Sequence, residues 1–217
     1  KDIANTYAVS ITLGTGQFCT NPGLILALEG EGLDTFKATL AAEILKVAPM
    51  VMLHPNIKSA YSKLKAEVST QNGVEVLTPK VDVQPNYADQ AVATVSGSTF
   101  LSNPKLHQEV FGPFSVVVSC ASQEELIRII EGLEGQLTGT VIAESTEYEQ
   151  IAEVVEVMQH RVGRIIFNGV PTGVEVCPSM NHGGPYPSSS DSRFTAVGTQ
   201  SIRRWIRPIS FQGFPQE

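Results

Sequence analysis

Cysteine is scarce in this 217-residue sequence: Cys19, Cys120 and Cys177 are the only three. An odd, sparse set with no CxxC or CxxH spacing offers neither a disulfide framework nor a zinc site, so no metal and reduced, cytoplasmic thiols are expected. Positive charge is also short. Fifteen Lys and Arg against 22 Asp and Glu leave a formal net charge of −7. That balance argues against a nucleic acid or an anionic membrane as partner, since both need cationic side chains. Long apolar runs are missing too; none approaches the roughly 20 residues that span a bilayer. Only 17% of residues are charged while 42% are hydrophobic, which excludes intrinsic disorder and leaves an enzyme-like globular body. Lys1-Asp2-Ile3-Ala4-Asn5 shows no initiator Met and no signal-peptide order, and reads as cut from something longer.

The patterning that is present predicts an α/β protein. A helical stripe of Ile3, Tyr7 and Ile11 stops at Gly14-Thr15-Gly16, and Gly23 to Leu28 is an apolar run of strand length. Helices are predicted from Asp34, as a possible N-cap, with Phe36, Leu40, Ile44 and Leu45 inward, and over residues 56–68. Val74 to Leu77 and residues 91–101 read as strands. The clearest stretch runs strand, helix, strand, helix, strand: Phe114–Cys120, Glu124–Leu133, Leu137–Ala143, Glu147–Arg161 and Arg164–Asn168. Such a run implies parallel strands joined by right-handed crossovers, hence a mostly parallel sheet with helices on both faces. Gly and Pro then crowd residues 169–187, a loop of functional type, before a terminal strand predicted from Ser201 to Phe211.

Cys19 stands out by context, in Gly14-Thr15-Gly16-Gln17-Phe18-Cys19-Thr20-Asn21-Pro22-Gly23. Glycines let backbone approach a ligand, turn N–H groups can hold an oxyanion, and a thiolate there could act as nucleophile. For an isolated cysteine the simpler reading is a small buried hydrophobe, and Cys120 in its apolar strand fits that description. Of the four histidines, only His182 lies in a Gly/Pro loop that could approach Cys19; His54, His107 and His160 sit at a helix boundary or in polar stretches. Cys19 with His182 as base opens the alternative of a cysteine hydrolase.

Gly16-Gln17-Phe18-Cys19-Thr20, followed 90 residues on by Glu109-Val110-Phe111-Gly112-Pro113, resembles the aldehyde dehydrogenase superfamily, in the order that family shows. The absence of Arg after the cysteine, with Thr20-Asn21-Pro22-Gly23-Leu24 in its place, and the tail Met180–Pro187 through Asp191–Thr195 resemble its α-ketoglutarate semialdehyde (2,5-dioxovalerate) branch. The fatty aldehyde branch is the near alternative. The resemblance covers the C-terminal half of a family member. It implies a catalytic domain over residues 1–198 and an oligomerisation strand and tail over 199–217, with the NAD(P)-binding domain absent from this chain.

The resemblance further implies that Cys19 attacks the aldehyde to form a thiohemiacetal and then a thioester. It also implies that Glu109 and Phe111 meet the ribose and nicotinamide end of NAD or NADP. Val174, Cys177, Met180 and His182 would line the substrate tunnel, and Arg193, with Ser188–Ser190, would anchor the carboxylate of a dicarboxylate-like semialdehyde. A homo-oligomer is expected through the terminal strand. Alone, the chain is expected to oxidise aldehydes poorly or not at all, and an inactive domain that only self-associates is the reading from another class.

Overall fold

The computed structural model describes residues 2–171 and 173–215; Lys1, Thr172 of the Gly/Pro-rich loop and the last two residues of the tail lie outside it. In chain order the elements are α1 (Asp2–Thr12), β1 (Leu24–Leu28), α2 (Glu31–Ile44), β2 (Met50–Val51), α3 (Pro55–Ser69), β3 (Glu75–Val76) and β4 (Tyr87–Ala88). They continue with β5 (Ala91–Ser96), α4 (Gly97–Ser102), β6 (Phe114–Cys120), α5 (Gln123–Gly132), β7 (Gln136–Val141), α6 (Ala152–Gln159) and β8 (Val162–Phe167).

The main sheet has the order β1-β6-β5-β3, with β1 and β5 parallel to β6 and β3 antiparallel to β5. The near-continuous apolar sequence of β6 follows from its position, because a central parallel strand is buried on both faces. Val116 and Val118 face a core with Tyr61, Phe100 and Phe114. Val117 and Val92 face the opposite core, made with Tyr7, Ile11, Leu40 and Ile44 of α1 and α2. The third core lies under the parallel pair β7-β8, where Ile127, Ile130, Val141, Val154 and Met158 meet. The alternating run is therefore realised as β6-α5-β7-α6-β8. The hydrogen-bonded ladder, however, divides between β1 and β7, and both unpaired edges line one cleft.

Several boundaries differ from expectation for local reasons. The strand expected over 91–101 ends at Ser96, whose hydroxyl accepts the Thr99 N–H at 3.3 Å and caps α4. Helix α2 starts three residues early, with Gly30 at its N-cap and Asp34 within the first turn, where a carboxylate still favours the positive helix end. The helix expected over 147–161 is a 3₁₀ turn (Ser145–Glu147) followed by α6. A short antiparallel pair, β2 with β4, was not expected. The terminal strand predicted from Ser201 to Phe211 does not form: Thr199–Arg204 is a 3₁₀ helix and residues 205–215 are exposed without regular structure. A strand needs a ladder for its backbone groups, and no described strand lies beside this segment.

Capping also holds α5, whose start braces β6. Ser122 Oγ accepts the Glu125 N–H at 3.3 Å, while the Glu125 carboxylate accepts the Ala121 N–H at 2.8 Å. Ser122→Ala is expected to cost about 1 kcal/mol in urea unfolding, the usual worth of such a cap.

Candidate active site

Helix α1 ends in a left-handed turn: Gly14, Thr15 and Gly16 have φ of 54°, 60° and 64°. Glycine adopts this region freely and β-branched residues resist it. Buried Thr15 is held there in part by its hydroxyl, which donates to the Val51 carbonyl at 3.4 Å. At Gly16 the need for glycine is steric as well. A Cβ there would lie 2.3 Å from the carbonyl carbon of Gly112, so the cysteine motif and the Glu109–Pro113 motif touch backbone to backbone.

Side chains lock that contact. Asn21 Nδ2 donates to the Gly112 carbonyl at 2.8 Å, and Ser115 Oγ donates to the Pro22 carbonyl at 2.6 Å. On the other flank the Gln17 side chain accepts the Leu53 N–H at 2.9 Å. The result is an anchored turn that leaves Cys19 exposed.

The loop bearing His182 reaches the same place by close glycine packing. Cβ atoms at Gly163 and Gly135 would lie 1.9 Å and 2.0 Å from the carbonyl oxygens of Gly183 and Pro185. Asn181 Nδ2 donates to the Gly163 carbonyl at 2.7 Å, and the His182 N–H donates to Thr195 Oγ1 at 2.8 Å. So held, His182 Nε2 stands 3.3 Å from Cys19 Sγ.

Cys19 precedes β1, Glu109–Pro113 precedes β6, and the His182 loop packs against Gln136 and Gly163 at the starts of β7 and β8. The site therefore gathers at the amino ends of the parallel strands, whereas ligands of open α/β sheets commonly bind at the carboxyl ends.

A thiol in contact with an imidazole can pass its proton to the ring and become a nucleophile. His182 is held below the ordinary histidine value, by burial first and by the Arg164 charge second. It therefore stays neutral, and able to accept a proton, to lower pH than a free imidazole. The contrast with Cys120 is sharp. That thiol is fully buried and pushed up to about 11 by desolvation, then by the charge of Glu125.

A cleft of about 1320 Å³ runs along the unpaired edges of β1 and β7, and its walls include Cys19, Thr20, Asn21, Glu109 and Phe111. Glu109 is exposed and makes no ion pair among the described residues, which leaves its carboxylate free to accept two hydroxyls. Of the tunnel candidates, only His182 touches Cys19. Val174 is exposed, and Cys177 Sγ lies 3.6 Å from Ser179 Oγ. Met180 receives Arg164 Nη1 on its sulfur at 3.2 Å. Arg193, with a side chain 78% exposed, is held at 2.6 Å by Asp191, whose carboxyl its hydrogen bonds lower to about 2. Ser188 Oγ and Ser189 Oγ donate to the carbonyls of Pro185 and Asp191. The guanidinium expected as an anchor is paired with Asp191 at the surface.

Sequence reasoning passed over three residues that build the site: Asn21 and Thr195, which fix the two loops, and Arg164. Only Arg164 carried a readable signal, being the one charged residue in the otherwise apolar β8.

Comparison with known proteins places this geometry in context. A model of the aldehyde dehydrogenase family matches residues 1–207. The chain is 39% identical over 216 residues to alpha-ketoglutaric semialdehyde dehydrogenase 2 of Azospirillum brasilense, with 99% of this chain and 41% of that protein aligned. It is 37% identical to alpha-ketoglutaric semialdehyde dehydrogenase of Acinetobacter baylyi, with 100% of this chain and again 41% of that protein aligned. The chain thus spans about two fifths of the length of these curated relatives. Among solved structures, proline utilization A from Bdellovibrio bacteriovorus superposes with a TM-score of 0.76 at 22% identity, over 96% of this chain and 22% of that one. Gamma-glutamyl-gamma-aminobutyraldehyde dehydrogenase from Burkholderia cenocepacia J2315 gives 0.74 at 18% identity, over 94% and 41%. These two likenesses establish the fold.

Proposed function

The chain belongs to the aldehyde dehydrogenase family, and from that premise we propose that it forms the thiol-bearing part of a dehydrogenase that oxidises α-ketoglutaric semialdehyde to a dicarboxylate. The observation that carries this reading is the 3.3 Å contact between Cys19 Sγ and His182 Nε2 on a turn packed against Glu109–Pro113. The relatives named for this semialdehyde supply the substrate.

In this mechanism the Cys19 thiol gives its proton to His182 Nε2, and the sulfur adds to the aldehyde carbon. The carbonyl π pair moves onto oxygen, which the Cys19 N–H would help to hold. Glu109 would hold the ribose and Phe111 would pack beside the nicotinamide of NAD or NADP, which when bound would supply the hydride acceptor for oxidation of the adduct to a thioester. His182 then releases the Cys19 proton to solvent and is neutral again. Water attacks the thioester and passes a proton to His182, the C–S bond breaks to free the Cys19 thiolate, and that proton restores the thiol as the acid product leaves and ionises. The chief task of the turn is to hold the reactants close, where effective molarities can reach about 10⁵ M or more.

p-Nitrophenyl acetate is expected to leave an acetyl mass label on Cys19 of the unmodified protein, and p-nitrophenol release is expected to fall to background in Cys19→Ala. Turnover that survives Cys19→Ala, or acetylation of Cys177 in place of Cys19, would refute the assignment. The thiol–imidazole contact also supports a second reading, cysteine-dependent ester hydrolysis. Repeated cofactor-free turnover of the p-nitrophenyl ester, rather than a single acetylation of Cys19, would favour it. The exposed tail, with Ile202, Trp205, Ile206, Ile209 and Phe211 uncovered, supports self-association as a further property of the chain.

A further inference from the structure

The Arg164 guanidinium lies close enough to His182 for its charge to act on that ring, and its chemistry is incomplete. It projects from β8 in a half-buried setting. Its Nε and Nη2 atoms are buried and meet no acceptor among the described residues, and its Nη1 meets only the thioether of Met180. No carboxylate lies within ion-pair distance of it among those residues. A guanidinium presents its donors as a rigid planar fork matched to a carboxylate, and a thioether is a weak acceptor. Leaving such a group buried and unpaired is costly, so an anion that completes it binds with a large return. Its neighbours fix where that anion would sit: Met180 lies two residues before His182, and the Arg164 charge is felt at the His182 ring, which itself touches Cys19.

We propose that Arg164 is the specificity-determining residue that receives the remote carboxylate of an ω-oxo acid while Cys19 receives the aldehyde. This rests on the reading of Cys19 above, and it is an alternative to Arg193, which pairs with Asp191 at the surface.

The test needs no cofactor. Cys19 alkylation is followed by peptide mass spectrometry with iodoacetate, an anion, and iodoacetamide, its neutral counterpart. Arg164→Gln is expected to lower the iodoacetate-to-iodoacetamide rate ratio at Cys19 about fivefold or more. It should also abolish protection of Cys19 by 2-oxoglutarate, while Arg164→Lys keeps part of both and Arg193→Gln changes neither. Buried Cys120 reports folding in the same digest, since its labelling rises only if the variant opens. An unchanged ratio and intact 2-oxoglutarate protection in Arg164→Gln, with Cys120 still unlabelled, overturn the proposal and leave the nucleophile standing. Loss of folding in Arg164→Gln passes the decision to Arg164→Lys, where a ratio and protection equal to the unmodified protein's also overturn it. A Cys19 inert to iodoacetamide in the unmodified protein instead overturns the reading of Cys19 itself.

Discussion

At pH 8, iodoacetamide is expected to alkylate Cys19 at least about a hundredfold faster than Cys120. The thiolate is the reacting species. Cys120 is fully buried and its pKa is raised to about 11, so only about one molecule in a thousand carries the thiolate at that pH. Cys19 is exposed and has an imidazole 3.3 Å from its sulfur. His182→Gln removes the proton acceptor and is expected to slow Cys19 by about tenfold or more, within the range of general-base effects, without changing Cys120. The pH profile gives the sign. Burial and Arg164 lower the His182 pKa, so the ring remains neutral below the usual histidine range and the advantage over His182→Gln should persist at pH 6.5. It should fade only in more acid solution. Equal rates for Cys19 in the two proteins across this range would show that the imidazole does not activate the thiol.

Gly16→Ala is expected to destabilise the protein by about 3 kcal/mol or more and to disable Cys19 in what remains folded. Two costs combine. Alanine at φ 64° is strained by about 1–2 kcal/mol, and its Cβ would overlap the Gly112 backbone at 2.3 Å. That neighbour cannot yield easily, because Gly112 is itself packed on the fully buried Tyr61 ring, whose hydroxyl donates to the Asp89 carbonyl at 2.6 Å. Relief must therefore come from moving the turn that carries Cys19. Urea unfolding measures the first effect and iodoacetamide labelling of Cys19 the second. A variant of unchanged stability with full Cys19 reactivity would show that the two motifs do not depend on their contact.

Much of the scaffold was legible because its periodicity is strong. Strand β6 falls on the predicted residues from Phe114 to Cys120, and β7, β8, α1 and α3 agree within a few residues. Burial of a central parallel strand leaves a continuous apolar signature, and an amphipathic helix leaves a stripe. The errors lie where a local hydrogen bond or a distant partner decides. Ser96 turns a strand into a helix through one cap; the strand expected from Ser201 to Phe211 would need a partner's ladder, and within this chain Thr199–Arg204 is a 3₁₀ helix. The site divides in the same way. Cys19 and Glu109 could be singled out by motif, whereas the surroundings of Arg193 and Arg164 could not. Both are lone arginines in the sequence, and only the fold shows that one meets Asp191 and the other a thioether.

Composition and motif by themselves pointed to the class of chemistry: a thiol on a glycine turn, in an acidic α/β body. Tertiary structure alone decided what that thiol can do. Residues 163 positions apart in the chain, Cys19 and His182, come within 3.3 Å because glycines at 16, 135 and 163 leave no room for a side chain where backbones cross. A sequence shows which residues lack a Cβ; the backbone that comes to lie against them is set by packing.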